Sequence, residues 1–294
     1  MNTIINYKDV CFSYEKQQIL FDICLQIKKG ESVAIVGHNG AGKTTLIKLL
    51  IGVLKPNSGT VDMEEYIQTN KLGFMPEHNA LYNHLTGIEL MNYYASLKGV
   101  EKSTIMNTLK LVNIDFAANK KISNYSKGMK QRLMLAQALL SKPEILILDE
   151  PYSGLDPNSR QLFSAMFKKL RNEGSTIIFS SHTLDGLKDV VDSVIFIDKG
   201  KVALSGNIST IMQDLDLDST MKIQLSSDTN IDNIINPIKH MVSSYTIENN
   251  NLSIYYKEKN NINLLRAITN HPEVTDIDIA KANVNNIYHR IYDQ

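Results

Sequence analysis

The 294 residues carry 31 Lys and Arg against 31 Asp and Glu, a formal net charge of zero. No basic field therefore marks the chain for nucleic acid, and a length of this order suggests about two domains. Only two cysteines occur, Cys11 and Cys24, which excludes a disulfide framework and fits a reducing compartment.

The N-terminal segment lacks the apolar run of a signal peptide. No stretch reaches the roughly 18 apolar residues of a membrane span; the nearest, Leu46 to Leu54, is short and carries Lys48. The chain reads as soluble, with any membrane role exerted through a partner. Tyr7 to Phe12 and Ile19 to Ile27 alternate apolar and polar residues as half-buried strands do. A hairpin turning near Gln17 would set Cys11 and Cys24 facing each other, as small core residues. Tyr14, between the two runs, suits either a loop aromatic capping the core or a stacking platform for a flat base.

Ser32 to Val36 reads as a short buried strand and Thr44 to Ile51 as a helix. Between them runs G-H-N-G-A-G-K-T-T, namely Gly37, His38, Asn39, Gly40, Ala41, Gly42, Lys43, Thr44 and Thr45. It fits G-x-x-x-x-G-K-[ST], the phosphate-binding loop of nucleotide triphosphatases. Gly37, Gly40 and Gly42 let successive N–H groups converge on one anion. Lys43 would bring its charge to the β- and γ-phosphates of ATP and Thr44 its hydroxyl to Mg²⁺, while the helix dipole favours the same anion.

Pro56 to Gly59 is a turn signal, and Leu72 to Met75 reads as a strand leading into Pro76 and Glu77. Thr86 and Glu89 form a capping box for a helix through Leu97. Ser103 precedes a second helix through Val112, with Ile105, Leu109 and Val112 on one side. This helical insertion runs from about residue 78 to 140. His78 and His84, at its start, read as surface histidines, because no carboxylate or cysteine follows at ligand spacing. Ser126 is a plausible N-cap for the helix that carries Leu133 to Leu140, and Gly128 follows inside its first turn. By itself this is an ordinary capped helix start.

Ile145 to Leu148 is continuously apolar and ends in Asp149 and Glu150. Such a strand belongs in the middle of a parallel sheet, and its C-terminal end is where open α/β sheets bind ligands. Asp149 would hold Mg²⁺, and Glu150 would orient and deprotonate an attacking water. Pro151 to Pro157, including Asp156, turns the chain into a helix from Asn158 to Leu170. Ser175 to Ser180 is another buried strand, and His182 beyond it would lie against the γ-phosphate. Val194 to Ile197 and Lys201 to Leu204 suit a hairpin.

From about Ser219 the chain turns Asn-rich. Strand, helix, two hairpin strands, helix and strand follow in a β-α-β-β-α-β order, with Pro237 inside the first helix. A last helix would align Val284, Ile287, Tyr288, Ile291 and Tyr292 on one face. This region reads either as an accessory module without a ligand or as a regulatory, dimer-stabilising domain.

Over about the first 210 positions the chain resembles the ATP-binding subunit of ATP-binding cassette (ABC) transporters. The resemblance rests on Tyr14, the phosphate loop, Pro76-Glu77, the segment from Tyr125, the acid-ended strand and His182, in that order. It implies an α/β fold: a P-loop NTPase domain of ABC type over 1–215, with an antiparallel β subdomain and a helical insertion. A small α+β domain over 219–294 would complete the chain. It also implies ATP and Mg²⁺ as cofactors, Glu150 and His182 as catalytic groups, and a metal set of Thr44, Glu77 and Asp149. Ser126, Gly128 and Asp156 join the nucleotide-binding set, with a second cassette, paired head to tail, receiving the signature in trans. A separate permease would be the membrane partner, placing the chain at the cytoplasmic face. Three departures stand out: Glu77 where Gln is usual, His38 where Pro is common, and Tyr125, Lys127 and Met129 within a signature usually L-S-G-G-Q. The Ser-Lys-Gly-Met-Lys-Gln-Arg form with Glu77 resembles the ABC-2 subgroup, which implies export of a drug, lipid or peptide.

Overall fold

The computed structural model describes residues 2–63, 71–78, 81–184, 186–187, 189–215, 217–226, 229–280 and 287. The chain divides into two compact units, Met1–Asn207 and Ile208–Gln294. In the first, β1 (Thr3–Tyr14) and β2 (Gln17–Lys28) form a long hairpin, followed by β3 (Ser32–Val36) and α1 (Lys43–Leu50). After β4 (Ser58–Asp62) and β5 (Leu72–Met75) come α2 (Gly87–Lys98), α3 (Ser103–Leu111) and α4 (Lys127–Leu139). The unit closes with β6 (Ile145–Asp149), α5 (Pro157–Asn172), β7 (Thr176–Ser181), β8 (Ser193–Asp198) and β9 (Lys201–Asn207).

A six-stranded sheet carries the order β5-β6-β7-β3-β8-β9. Its pairs are parallel except β8 with β9. Every residue of β3, β6 and β7 is buried, which explains their apolar middles: strands covered on both faces have no solvent side to leave polar, and their polar residues stand at the strand ends. β7 lies between the acid-ended β6 and the β3 that feeds the phosphate loop. Three chemically distinct strand ends thus come out side by side. A smaller antiparallel sheet, β2-β1-β4, shares an apolar cluster with α1, in which Ile5, Val10, Leu20 and Ile23 meet Leu46 and Ile47. The Tyr7 hydroxyl donates to the Leu46 carbonyl at 2.9 Å within it.

Several local expectations are corrected. The hairpin turns at Glu15–Lys16, with Tyr14 paired to Gln17, so Tyr14 ends a strand rather than sitting in a loop. Cys11 is half-buried and Cys24 exposed, not core. The thiols do not face each other: Cys11 donates to Asp22 and Cys24 to Asp9, each at 3.1 Å. Register shifts in this ladder, with Asp9 and Asp22 both in the left-handed region, turn these side chains outward together. Ser58 and Gly59 belong to β4 rather than to a turn. Gly59, at φ +79, lies so close to the Lys8 and Asp9 carbonyls that a Cβ would strike them. Ser103 is the first residue of α3, not its cap; Lys102 holds the cap position with no side-chain bond.

Most other boundaries agree within a residue or two, though β1 starts four residues before Tyr7 and β9 runs three residues past Leu204. Thr86 and Glu89 make the reciprocal capping box of α2, and Ser126 caps α4 by accepting from the Met129 N–H at 3.2 Å.

The second unit contains α6 (Ile208–Asp214), β10 (Ser219–Leu225), α7 (Ile231–Ile238), β11 (Ser244–Glu248), β12 (Asn251–Tyr256), α8 (Asn261–Ile268) and β13 (Val274–Ala280). Its antiparallel sheet has the order β11-β12-β10-β13. Ile234, Ile238, Leu264 and Ile268 from the helices pack on Met221, Ile223, Leu252 and Ile254. Of the expected last helix, only Ile287 is among the described residues, and it is buried; Val284, Tyr288, Ile291 and Tyr292 lie outside them.

Candidate active site

The site begins where β3 ends. The Gly37 N–H donates to the Ser181 carbonyl at 3.2 Å, tying the root of the phosphate loop to the residue before His182. Gly42 caps α1 at φ 108 with no side-chain bond, a conformation that needs glycine. Lys43 is buried, and its ammonium donates to the Gly37 carbonyl at 2.6 Å and the His38 carbonyl at 3.2 Å. It also stands 3.9 Å from Glu150 Oε1. Burial lowers the Lys43 pKa, while the negative charges of Glu150, Asp149 and Glu77 act against that.

The two acids at the end of β6 diverge. Asp149 is buried, and its Oδ1 accepts from the Ser180 hydroxyl. Glu150 turns the other way, with φ 49, a costly conformation for a side-chain-bearing residue. The Glu150 N–H donates to Ser180 Oγ at 3.0 Å, and Glu150 Oε2 shares a hydrogen bond with His182 Nδ1 at 3.0 Å. Burial raises the pKa of both carboxyls above the ordinary range; the Ser180 bond opposes this at Asp149 and the His182 bond at Glu150.

One cavity of about 530 Å³ gathers Asn39, Gly40, Gly42, Lys43, Thr44, Thr45, Glu77, Glu150 and His182, together with Ile19 and Ser153. Asp149 lies buried at the end of the same strand as Glu150 and does not line the cavity; Gly37, His38 and Ala41 complete the loop without lining it. Tyr14 is 43% exposed, makes a T-shaped ring contact with Phe12, and does not line the cavity. Ser126, Gly128 and Asp156 are not among the lining residues either. Asp156 accepts from the N–H of Ser159 at 3.0 Å and from its hydroxyl at 2.8 Å, capping α5.

Sequence reasoning missed Ser153, Gln131 and Ser180. Gln131 donates to the Ser153 carbonyl at 2.8 Å, and the Ser153 N–H donates to the Glu150 carbonyl at 3.0 Å. The helix that Ser126 caps is therefore bonded to the turn that carries the acid. Lys127 fills the space that a Cβ on Gly154 would take in that turn. Tyr125 points inward, its hydroxyl donating to the Ala117 carbonyl at 2.7 Å. The one available signal for Ser180 was the pair of serines that closes the strand just before His182.

The ABC transporter family profile matches residues 20–153. The ABC transporter ATP-binding protein YxlF of Bacillus subtilis is 36% identical over 216 residues, covering 71% of this chain and 73% of YxlF. The chain belongs to the ABC transporter ATP-binding family. As an ABC cassette it binds ATP and is an ATPase of the kind that drives transport. The lantibiotic transport ATP-binding protein SrtF of Streptococcus pyogenes is 37% identical, covering 65% of this chain and 86% of SrtF. Among solved structures, the dimeric bacterial ABC transporter cassette MJ0796 superposes with a TM-score of 0.64 at 25% identity, covering 69% of this chain and 98% of that one. The chain thus has the ABC cassette fold, and among the described residues no helix is long and apolar enough to cross a membrane.

Proposed function

We propose that this cassette hydrolyses ATP to drive export of a drug, lipid or peptide through a separate permease, working as one half of a head-to-tail pair. The observation that carries the hydrolysis is the shared cavity, where Lys43 and Thr44 face Glu77, Glu150 and His182. Export draws support from the Ser126-to-Arg132 form of the signature together with Glu77, and from SrtF, whose name describes lantibiotic transport. Pairing draws support from MJ0796, described as dimeric.

In this reading the loop N–H groups from Gly37 to Thr45 cradle the phosphates, and the Tyr14 ring stacks on the base. Lys43 leaves its carbonyl partners for the β- and γ-phosphates. The donors Thr44, Glu77 and Asp149 offer only oxygen, and Ser180 holds one oxygen of Asp149 in place; such a set suits a hard cation. Mg²⁺, when bound there, neutralises charge on the phosphates. Glu150 takes a proton from the water that adds to the γ-phosphorus, and the bond to the β-phosphate oxygen breaks, giving ADP and phosphate. His182 holds the Glu150 carboxylate in line and meets the γ-phosphate. Ser126, Gly128 and Asp156 serve the nucleotide of the second cassette. The helical insertion, residues 78–140, meets the permease at the cytoplasmic face of the membrane.

The test is ATPase turnover of the purified chain at increasing protein concentration. Specific activity should rise with concentration as two copies build each site. A flat, negligible rate beside clear ATP binding would overturn self-pairing.

A further inference from the structure

The β6–β7 pairing sets Asp149 beside Ser180 in register, and Ser180 is fully buried. Its hydroxyl has one proton to give and lone pairs to receive. It gives the proton to Asp149 Oδ1 and receives the backbone N–H of Glu150 at 3.0 Å. One buried oxygen on a neighbouring strand therefore touches both consecutive acids, one by its side chain and the other by its main chain. The two acids point to different places because Glu150 adopts φ 49. A residue in that region stays there only when its surroundings over-determine it. Ser180 Oγ supplies one of those restraints, and the Ser153 N–H on the Glu150 carbonyl supplies another.

We propose that Ser180 is a positioning residue that holds Asp149 and the turned backbone of Glu150 in their working geometry, so that its hydroxyl sets the rate of ATP hydrolysis without touching the nucleotide. The inference takes Glu150 as the general base, as under the proposed function. Ser180 does not line the nucleotide cavity, whereas Lys43 and Thr44 do. Removing the hydroxyl should consequently leave nucleotide affinity alone and act on the chemical step. It frees the Glu150 N–H from its acceptor and Asp149 from its donor, so both acids lose their alignment. A misplacement of about 1 Å at a reacting group is worth on the order of 10²-fold in rate.

The experiment compares Ser180→Ala, Ser180→Thr and Glu150→Gln in the full chain. It measures kcat and KM for ATP, binding of a fluorescent nucleotide, and thermal unfolding. Ser180→Ala should fold, bind nucleotide as the parent does, and lose roughly 10- to 100-fold in kcat with KM changed by less than about twofold. Ser180→Thr, which keeps the oxygen, should recover most of the rate. Where Ser180→Ala does not fold, Ser180→Cys keeps the volume while weakening both bonds and carries the same test.

Parental kcat in Ser180→Ala, beside a slow Glu150→Gln, would overturn the role of Ser180 alone. A loss of nucleotide binding in step with kcat, or no recovery with threonine, would reduce Ser180 to packing and overturn it as well. Parental turnover in Glu150→Gln would instead remove the base assignment on which the inference depends.

Discussion

Glu150 concentrates the chemistry and the strain of this molecule at one position. Its carboxyl is nearly buried, bonded to His182, and near Lys43 at the edge of ion-pair distance. A raised carboxyl pKa suits a general base, because it brings proton affinity closer to that of the working pH. Glu150→Gln should keep nucleotide binding and slow turnover by about 10²–10⁴-fold; turnover near the parental value would remove Glu150 from that role. The same burial makes a second prediction about stability. Protonated Glu150 is favoured in the folded chain, so its contribution is fully present below the unfolded pKa and is lost as pH rises through the raised folded value. Above that raised value the nucleotide-free chain carries a buried charge at a cost. Glu150→Gln should melt higher than the parent at pH 7, and the difference should vanish by about pH 4. Equal melting temperatures at both values would contradict the stated effect of burial.

At the scale of elements, the segment from Tyr125 to Arg132 works in two directions. Its helix start, Ser126, is exposed while capping α4, and its flanks fasten α4 to the rest of the unit. Arg132 donates to the Asn113 carbonyl and to Ser159 Oγ, each at 3.2 Å. Gln131 holds the turn after β6. Tyr125, a departure from the usual leucine, has its hydroxyl buried against Ala117 and Gly87. Tyr125→Phe should accordingly cost on the order of 1 kcal/mol of stability by removing one buried hydrogen bond, while the Ala117 carbonyl keeps the Lys120 N–H at 2.9 Å. It should leave nucleotide affinity unchanged, since Tyr125 does not line the cavity. Denaturant unfolding beside nucleotide titration would decide it; a selective loss of affinity would mean that Tyr125 serves the site instead.

Among the described residues, an apolar cluster in Met1–Asn207 and another in Ile208–Gln294 have no residue in common. Separate cores unfold separately when few contacts cross the boundary. Calorimetry should resolve two transitions, and saturating ATP should raise only the one belonging to Met1–Asn207, because a ligand stabilises the unit that binds it. A single transition displaced as a unit by ATP would show the two cores to be coupled.

Local rules decided what the sequence alone could decide. The glycine spacing with Lys43 and Thr44, the apolar run into Asp149 and Glu150, and the cap at Thr86 each depend on neighbours a few residues away, and all were readable in order. So was the cassette family, because its motifs recur at fixed places along the chain. Tertiary structure decided what depends on pairing across the sheet. Register placed Ser180 beside Asp149, residues that stand 31 positions apart, and no local pattern encodes that neighbour. Cys11 and Cys24, read from the sequence as small core residues facing each other across the hairpin, lie half-buried and exposed in a ladder with register shifts. The approach of β1 made Gly59 a contact point in a strand rather than a turn residue. Burial did the rest: the raised pKa of Glu150 and the lowered one of Lys43 come from excluding water, which depends on the whole fold rather than on any stretch of sequence.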